Sequence, residues 1–240
     1  MMPPALVLAA GKGTRIASVA GGVPKPLLEV AGRTLLGWNL VWLAESGVKE
    51  VWINLHHEAD RIRGAVGEGV EHGLAVRYSY ETVLLGTAGA WRELLPQWRG
   101  TSLIVYGDNL MRFDLERFLG EHRYSGVMVT AAVFDPGRHA HTGIGGGRAR
   151  IEGGRIVEFV EGGAGSDLPI NAGAYLLEPS AAAWIGEGFQ DFGHDVLPAL
   201  ATAGRLRAHM IEESGFCLGL DTPERFAEAE RLVATGVVTP

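Results

Sequence analysis

The first residues able to do chemistry lie in a short loop that follows an apolar run near the start of the chain. Residues 5–9 are all apolar, which is typical of a strand buried on both faces of a parallel sheet. Gly11 and Gly13 remove side chains, so the loop backbone can approach a ligand and point its N–H groups at an anion. Three cations accompany the loop: Lys12, Arg15 and Lys25. Small residues, exposed amides and fixed cations favour a polyphosphate as the ligand.

Two common phosphate-binding loops do not fit this pattern. A P-loop has four residues between a first glycine and its Gly-Lys pair, and Leu6 and Val7 stand where that glycine would be. A dinucleotide-binding fingerprint requires a third glycine near Ile16 and an acidic residue after the next strand, and the chain does not fit this pattern. We therefore expect a different polyphosphate loop, in which flanking prolines hold Lys25 on a stiff segment.

A carboxylate follows a second apolar run. Residues 102–106 are predicted to form a buried strand, and Asp108 comes directly after it, at the edge where open α/β sheets bind ligands. Beside a triphosphate, a carboxylate at this place fits Mg²⁺, which takes one or two protein carboxylates together with phosphate oxygens. The alternative is an aspartate that caps its own turn.

Length and composition narrow the class of protein. At 240 residues the chain is long enough for one α/β domain with a sizeable core. Its net charge of -7 and the lack of a basic stripe exclude nucleic acid as an expected partner. A single cysteine, Cys217, excludes a disulfide framework and a cysteine-based zinc cluster. With no apolar run of 18 residues and no secretory leader, we expect a soluble cytoplasmic protein that does not bind membranes.

Strands and helices alternate over the first half of the chain, and strands with glycine-rich turns follow in the second half. Strands are predicted at residues 5–9, 50–55, 74–80, 102–106, 127–134, 149–151, 155–160 and 170–177. Helices are predicted after Thr34, after Glu58 and at Gly86, and later at residues 180–185, 194–203 and 223–234, the last with Thr222 as its cap. This pattern predicts the α/β class: a Rossmann-like three-layer α/β/α domain with a mostly parallel, mixed central sheet.

The loop resembles the signature of the sugar-1-phosphate nucleotidylyltransferases, Gly-x-Gly-Thr-Arg followed about eight residues later by Pro-Lys-Pro. The matching residues are Gly11, Gly13, Thr14, Arg15, Pro24, Lys25 and Pro26. Residues 107–110 resemble the Gly-Asp-x-Leu segment of the same family, and residues 170–175 resemble its Asn-x-Gly-x-Tyr strand. The resemblance covers nearly the whole chain, in order. It implies a GT-A-like nucleotidyltransferase fold in one domain, residues 1–240, with a nucleotide-binding half at 1–110 and an acceptor-binding half at 111–240.

The resemblance implies a reaction between a nucleoside triphosphate and a sugar 1-phosphate, which yields a nucleotide sugar and pyrophosphate with Mg²⁺ as cofactor. Catalytic roles fall on Arg15, Lys25 and Asp108. Nucleotide contacts are expected from Ala9, Ala10, Gly11, Gly13, Thr14, Arg15, Lys25, Glu81, Gly86, Thr87 and Ala88. Acceptor contacts are expected from Asn109, Gly143, Glu161 and Asn171. The acceptor phosphate is itself ionised at pH 7, so no general base is required. The enzyme is expected to be a monomer or a homodimer.

Two departures from the family pattern bear on the metal and the acceptor. Family members end in a segment like Asp-Ile-Gly-Thr-Pro, whose aspartate holds the metal, but Gly219 occupies that place here. Asp221 lies two positions later and is expected to be the second metal ligand; the alternative is a residue beside a helix cap. The family's acceptor-phosphate lysine is replaced by Gly162. Another cation is expected to substitute, with Arg138, Arg148 and Arg150 as candidates, or the acceptor is unusual.

The nucleobase is the least determined feature. Within the superfamily the chain most resembles heptose- and mannose-1-phosphate guanylyltransferases, through the segment 85–90, and a carboxylate at Glu81 can accept from guanine N–H groups. GTP is therefore favoured, although uridylyltransferases of the group can carry glutamate here too. A cytidylyl- or uridylyltransferase on another phosphate monoester stays open, as does an inactive regulatory subunit that binds a nucleotide sugar. The pairs His56-His57 and His139-x-His141 are interpreted as loop or acceptor contacts because no third metal ligand accompanies them.

Overall fold

A nine-stranded sheet forms the centre of the molecule in a computed structural model that describes residues 1–11, 13–16, 21–69, 72–162 and 167–240. The strands are β1 (Ala5–Leu8), β2 (Glu29–Val30), β3 (Arg33–Thr34), β4 (Glu50–Leu55), β5 (Ala75–Tyr80), β6 (Ser102–Tyr106), β7 (Asn109–Arg112), β8 (Val129–Phe134), β9 (Ala140–His141), β10 (Arg148–Glu152), β11 (Arg155–Val160), β12 (Ile170–Leu177), β13 (Leu206–Met210) and β14 (Phe216–Gly219). The α-helices are α1 (Leu35–Glu45), α2 (Ala59–Val66), α3 (Gly86–Leu94), α4 (Leu115–Ser125), α5 (Leu197–Thr202) and α6 (Pro223–Ala234).

The central sheet has a parallel part and a mixed part. Its order is β10-β11-β13-β8-β12-β6-β1-β4-β5, in which β6, β1, β4 and β5 are mutually parallel. Strand β12 runs antiparallel to both β6 and β8, and this is where the parallel part ends. The chain leaves the central sheet directly after β6 and enters a second sheet, whose order is β7-β14-β9. The α/β class with a mixed sheet predicted from the sequence is confirmed.

Apolar side chains leave both faces of the central sheet and pack against helices. Ala5 and Val7 of β1 belong to a core with α1, α2 and α4, whereas Leu6 and Leu8 belong to a core with α3 and α5. This division follows from the strand period of two, since neighbouring residues of β1 point to opposite faces. Strand β1 is thus buried on both faces, and its carboxyl end leads into the loop that carries Gly11 and Gly13.

Several local predictions are confirmed. The Thr34 side chain caps α1 by accepting from the Gly37 N–H at 3.0 Å, and the Thr222 side chain caps α6. Gly153 and Gly154 both have positive φ and form the turn of the β10–β11 hairpin. Within the parts of the chain that the structure describes, the longest helix has 12 residues, and none is long and apolar enough to cross a bilayer.

Other local predictions are wrong. The segment expected as a helix at residues 180–185 is a 3₁₀ helix, Pro179–Trp184, and the helix expected at 194–203 begins as a π-turn, Phe192–Val196, before α5. Helix α4 and strands β7 and β13 were not predicted as elements, and each carries a polar residue at a buried position. His122 of α4 and His209 of β13 are both nearly inaccessible to solvent, and such residues obscure the apolar period of a helix or strand.

Candidate active site

A cavity of about 370 Å³ opens at the carboxyl edge of the four parallel strands. Each strand contributes a residue near its end: Ala9 after β1, Asn54 in β4, Glu81 after β5 and Asp108 after β6. Of the residues predicted to bind nucleotide or metal, those lining the cavity are Ala9, Ala10, Gly11, Gly13, Arg15, Lys25, Glu81, Gly86, Thr87, Asp108 and Asp221. Lys12 and the Thr14 side chain lie outside the described residues. The sheet edge thus gathers residues that are far apart in the sequence.

Lys25 is held in place by its own local backbone. It begins a 3₁₀ turn, Lys25–Leu27, whose Leu27 N–H donates to the Pro24 carbonyl at 2.8 Å. The prolines on either side fix φ and limit the freedom of the turn. Gly13 has φ +58°, and a Cβ there would lie 2.9 Å from the Lys25 Cβ. Glycine at 13 is therefore needed both for the conformation of the loop and for the close approach of Lys25.

The Lys25 ammonium lies between two carboxylates. Its Nζ donates to Asp108 Oδ2 at 2.9 Å and to Asp221 Oδ1 at 2.6 Å. The lysine side chain is only 4% exposed, whereas that of Asp108 is 41% exposed. A buried ammonium is costly unless it is paired, so the two carboxylates hold it in position at the cavity wall.

Asp221 is the most heavily paired carboxylate of the site. Besides Lys25 it faces Arg15 at 3.3 Å and Arg225 at 3.5 Å. Burial acts to raise the pKa of the Asp221 carboxyl, but Lys25 and the two more distant guanidinium groups outweigh burial and hold that pKa below its usual value. Asp221 is therefore ionised at neutral pH, as a metal or cation partner has to be.

The geometry explains why the carboxylate stands at 221 rather than at 219. A Cβ on Gly219 would lie 2.8 Å from the Ile144 side chain, and the Gly219 carbonyl accepts from Thr142 at 2.7 Å. The place of a side chain at 219 is thus filled by Ile144. Strand β14 pairs antiparallel with β7, with Gly219 opposite Asn109. This pairing brings the residue before β7, Asp108, next to the loop that follows β14, which carries Asp221.

The two carboxylates fit a divalent cation. Both approach one cationic nitrogen within 3 Å, so they converge on a single point of positive charge. Among the described residues no group of three or more His, Cys, Asp or Glu side chains is suited to hold a metal. A cation here would have two protein ligands and take its others from phosphate and water, which is the coordination that Mg²⁺ prefers. Cys217 is not a rival ligand, because it is buried in β14 and burial raises the pKa of its thiol.

Glu81 connects the predicted base-binding segment to the phosphate loop. Its carboxylate accepts from the Leu85 N–H at 3.0 Å and from the Asn54 side-chain amide at 2.7 Å. Asn54 in turn accepts from the Ala9 N–H at 2.7 Å. Glu81 is 7% exposed, so it is not a solvated strand end. Asn54 was not predicted as a site residue, although a lone amide in the apolar strand β4 is the signal that could have found it.

The backbone of the segment that follows Glu81 is hydrogen-bonded to a second loop, residues 186–190. The Gln190 carbonyl accepts from the N–H groups of Ala88 and Gly89, and the Gln190 N–H donates to the Leu85 carbonyl. Ala88 is fully buried and does not line the cavity, whereas Gly86 and Thr87 do. Phe189, 60% exposed, lies at the cavity mouth and was not predicted from the sequence.

The four residues predicted to bind the acceptor do not line this cavity. They are Asn109, Gly143, Glu161 and Asn171. Asn109 is buried between β7 and β12, where its amide donates to the Ala172 carbonyl at 3.4 Å. The Gly143 N–H donates to His141 at 2.9 Å. The side of the site predicted to bind the acceptor is a wall beside the cavity, formed by β12 and the end of β11, which we call the acceptor wall.

Asn171 and Glu161 reach the cavity through aromatic and acidic neighbours. The Asn171 amide donates to the Tyr175 hydroxyl at 2.6 Å, and the Tyr175 ring packs edge-on against Tyr106, which lines the cavity. Burial raises the pKa of the Glu161 carboxyl, and the neighbouring Asp191 raises it further. Asp191, also at the cavity, accepts from Thr87 at 2.9 Å and was missed by sequence reasoning.

The histidine pairs serve local structure. His56 Nδ1 lies 2.8 Å from the Glu81 carbonyl, and His141 Nε2 lies 3.1 Å from the Pro136 carbonyl. His139 is buried in contact with the backbone of Asp135. In the described residues, these histidines belong to no group of three or more side chains suited to hold a metal.

Comparison with known proteins identifies the family. The model of the nucleotidyl transferase family matches residues 4–229 of the chain. The chain belongs to the nucleotidyl transferase family. This confirms, at the level of the family, the resemblance inferred from the sequence motifs.

The curated relatives of this chain are named for different nucleotides. A UTP–glucose-1-phosphate uridylyltransferase of Synechocystis sp. is 28% identical over 216 residues, which is 83% of this chain and 55% of the relative. A mannose-1-phosphate guanylyltransferase of Mycobacterium tuberculosis is 29% identical over 97% of this chain and 65% of its own length. An N-acetylmuramate alpha-1-phosphate uridylyltransferase of Neisseria meningitidis is 40% identical over 112 residues, 46% of this chain and 48% of the relative. The chain spans between about half and two thirds of the length of these curated relatives.

Solved structures share the fold. HddC from Yersinia pseudotuberculosis aligns with a TM-score of 0.80 at 23% identity, over 96% of this chain and 99% of that one. The same protein complexed with GMP-PN aligns with a TM-score of 0.79. At these identities the likeness supports the α/β nucleotidyltransferase fold, and the chemistry has to be argued from the site.

Proposed function

We propose that this protein transfers a nucleotidyl group from a nucleoside triphosphate to a sugar 1-phosphate, releasing pyrophosphate. The observation that carries this proposal is the buried Lys25 ammonium, which lies at the cavity wall between Asp108 and Asp221. A cation fixed beside two carboxylates, at the carboxyl edge of a parallel sheet, suits the binding and transfer of phosphoryl groups. Since Asp221 points at Lys25 and not away from the cavity, the geometry favours a catalyst over an inactive regulatory subunit.

The proposed reaction is an in-line displacement at the α-phosphorus. An oxygen of the acceptor phosphate forms the new P–O bond while the bond to the leaving pyrophosphate breaks. The acceptor phosphate is largely ionised at pH 7, so no side chain has to remove a proton. Lys25 would stabilise the charge that builds on the α-phosphoryl group, and Arg15 with the loop amides would hold the β- and γ-phosphates.

Asp108 and Asp221 are proposed to hold Mg²⁺. When bound, the ion would neutralise phosphate charge in the transition state. The two carboxylates would place the ion near the phosphate loop, because both also contact Lys25, which accompanies that loop. The Lys25 ammonium lies where both carboxylates converge, so it would have to share or leave that position when the ion enters.

GTP is the proposed nucleotide. Glu81 lines the cavity with a carboxylate that is already oriented by Asn54 and Leu85, and a carboxylate oxygen can accept from the guanine N1–H and N2–H₂. The support from relatives is divided: a guanylyltransferase matches nearly the whole chain, whereas two uridylyltransferases, one of them 40% identical over 112 residues, favour UTP. UTP is thus the second candidate.

The proposal also covers the organisation of the chain. Residues 1–110 would bind the nucleotide and residues 111–240 the acceptor, within one domain of the Rossmann-like three-layer type. Helices packed on both faces of the sheet support this arrangement. Gly86 and Thr87 would contact the base. Asn171 and Glu161, which lie in the wall formed by β12 and the end of β11, would form hydrogen bonds with the sugar hydroxyls.

Pyrophosphate release tests the proposal directly. The purified protein would be incubated with Mg²⁺, each of GTP, UTP, CTP and ATP, and either mannose 1-phosphate or glucose 1-phosphate. We expect release that requires both substrates, and fastest with GTP. Release with UTP alone would replace GTP by the second candidate. Tight nucleotide binding without release for any pair would contradict the proposed catalysis.

A further inference from the structure

Cations exceed carboxylates in the charge cluster around Asp221. Lys25, Arg15 and Arg225 all face it, whereas Asp108 is the only other carboxylate that the described residues place in contact with these three cations. Lys25 and Arg15 line the cavity on the side of the phosphate loop. Arg225, in the first turn of α6, faces the Oδ2 of Asp221, whereas Lys25 and Arg15 face its Oδ1. A surplus positive charge beside an open cavity is suited to hold an anion.

Arg225 stands where a helix disfavours a cation. Its backbone N–H donates to the Thr222 hydroxyl that caps α6, so it belongs to the first turn. The N-terminal end of a helix carries partial positive charge, and an arginine there is electrostatically unfavourable. Asp221 offsets this only in part, because the closest approach of the two groups is 3.5 Å, too long for a strong hydrogen bond. Residues that break a local rule in this way are expected at functional sites.

The Arg225 guanidinium keeps most of its hydrogen-bonding capacity. Among the described residues, its side chain donates no hydrogen bond to protein, although a guanidinium has five N–H groups. Its Nη2 faces Gly145, where even a Cβ would come within 3.7 Å. Its side chain is 24% exposed, so it is accessible. Gly143 and Gly145 thus place no side chain between this guanidinium and its surroundings, and a Cβ on Gly143 would meet nothing within 4 Å.

The arginines considered from the sequence are less well placed. Arg150 is paired with Glu152 and Glu158 on the exposed β10–β11 hairpin. Arg148 donates to the Leu168 carbonyl at 3.3 Å. Arg138 lies in the turn that follows β8, whose backbone is bonded to Asp135. Arg225, by contrast, forms an ion pair with Asp221.

We propose that Arg225 binds the phosphate group of the acceptor, a phosphate monoester, and fills the role left open by glycine at 162. This inference rests on the proposed function, because it places the acceptor phosphate between Arg225, Asp221 and the segment 143–147. The nucleotide phosphates then belong to Arg15 and Lys25, which face the other oxygen of Asp221. The two phosphate groups that must react would thus have separate cations, grouped around one carboxylate.

Substitution of Arg225 tests the assignment. In Arg225→Met we expect the KM for the sugar 1-phosphate to rise about 10- to 100-fold, the scale of losing charge-assisted hydrogen bonds. The KM for the nucleotide should change less than about twofold, since its cations remain. Arg225→Lys should recover part of the loss. Arg231→Met is the matched control, because Arg231 lies on the same helix and pairs only with exposed Glu228 among the described residues.

A binding measurement separates this inference from the proposed function. Mannose 1-phosphate and glucose 1-phosphate would each be titrated calorimetrically into the wild-type protein, Arg225→Met and Arg231→Met, all loaded with a non-hydrolysable GTP analogue and Mg²⁺. Binding that is lost in Arg225→Met and kept in Arg231→Met supports the inference even if no pyrophosphate forms. Equal binding by all three proteins overturns it, as does a wild-type protein that binds neither sugar phosphate, or a loss of nucleotide affinity equal to the loss of sugar-phosphate affinity.

Discussion

The two sides of the site differ in whether their carboxylates are paired with cations. On the side of the phosphate loop, Asp108 and Asp221 each contact a buried ammonium, and the pKa of Asp221 lies below its usual value. On the side of the acceptor wall, Glu161 and Asp191 lie near each other, and burial and Asp191 raise the pKa of Glu161. Within the described part of the chain, neither of these two carboxylates forms an ion pair with a lysine or arginine, whereas those of the other side do.

This difference follows from what each side has to bind. A polyphosphate brings several negative charges, and positive groups fixed beforehand stabilise it without reorganisation. Sugar hydroxyls are donors, and a carboxylate that keeps lone pairs unused can accept from them. Gly147 and Gly193 admit the Glu161 carboxylate at distances that any Cβ would prevent. The absence of side chains at these glycines therefore shapes the acceptor wall. Fixed charges shape the opposite side of the site, Lys25 with Asp108 and Asp221, which we call the phosphate corner.

Removal of Lys25 should give the largest effect on activity. Lys25→Ala is expected to lower kcat about 10²- to 10³-fold, because one preorganised charge contact to the reacting phosphoryl group is lost. Steady-state kinetics measures this, with circular dichroism to establish that the fold is kept. Lys49→Ala, at an exposed position, is the control. Near-normal turnover in Lys25→Ala would contradict the role of the phosphate corner.

The carboxylates of the same corner should give a smaller, metal-dependent effect. Asp108→Asn and Asp221→Asn are each expected to lower kcat/KM about 10- to 100-fold, the scale of one lost charged contact. Much of this loss should be recovered at higher Mg²⁺, because the change weakens a ligand and keeps its shape. Asp60→Asn, at an exposed position of α2, serves as the control. A loss that does not respond to Mg²⁺ in either variant would argue against metal ligation at that residue.

Lys25 and a metal are expected to compete before nucleotide binds. The ammonium lies where Asp108 and Asp221 converge, so its removal should raise the affinity of the nucleotide-free protein for a divalent ion. We expect Lys25→Met to bind Mn²⁺ about tenfold more tightly than the wild type, because like charges within about 4 Å repel strongly even when partly screened. Titration followed by electron paramagnetic resonance measures free Mn²⁺. Equal affinities in Lys25→Met, the wild type and Lys49→Met would show that the carboxylates do not form the metal site.

The base-binding segment should respond more weakly to a charge change. Glu81→Gln is expected to reduce the preference for GTP over UTP in kcat/KM about five- to tenfold, near the lower end of the 1–3 kcal/mol scale for one base contact. The effect is limited because both Glu81 oxygens already accept from Asn54 and Leu85. A glutamine would also present N–H₂ to one of these donors and lower Tm. The ratio of the two nucleotides isolates base recognition from this loss of stability, and an unchanged ratio would remove Glu81 from that role.

The phosphate corner was largely predictable from the sequence, whereas the acceptor wall was not. Glycines, prolines and cations at fixed spacing specify the local geometry of the Lys25 loop, and β4, β11 and β12 have the bounds predicted from their apolar runs. Asp221 could be named because it lies two residues from a motif position. That Ile144 fills the space at Gly219 could not be foreseen, because it depends on a contact between distant segments.

The residues missed on the acceptor side share a cause. Asp191 reaches the cavity through a hydrogen bond to Thr87, 104 positions earlier in the chain, and it precedes a π-turn that no apolar period indicates. Tyr106 and Tyr175 meet only because β6 pairs with β12. Such positions are determined by the packing of elements and not by their local patterns.

The smallest predicted effect concerns stability and should have opposite signs on the two sides of the site. Because the folded-state pKa of Glu161 lies above its ordinary value of 4.5, the stability it contributes is fully present below pH 4.5 and is lost as pH rises through the folded-state pKa. At pH 7 ionisation of Glu161 is therefore less favourable in the folded than in the unfolded chain, because burial and Asp191 oppose its charge while His194 favours it. Glu161→Gln should raise Tm at pH 7 by only about 1–3 °C, since one kcal/mol corresponds to roughly 2–4 °C in a chain of this size.

The pH dependence of this rise distinguishes charge from packing. The difference in Tm between Glu161→Gln and the wild type should shrink toward zero as pH falls below 4.5, because the wild-type carboxyl is then neutral in the unfolded chain as well as in the folded one. Asp221 provides the reverse case: its folded-state pKa is lowered from 3.8, so its stabilising contribution is present above that pH and is lost as pH falls through the folded-state pKa. Asp221→Asn should therefore lower Tm at pH 7. Differential scanning calorimetry between pH 7 and pH 4 measures both variants. A lower Tm for Glu161→Gln at pH 7, or a rise that persists unchanged at pH 4, would show that packing and not unpaired charge governs the acceptor wall.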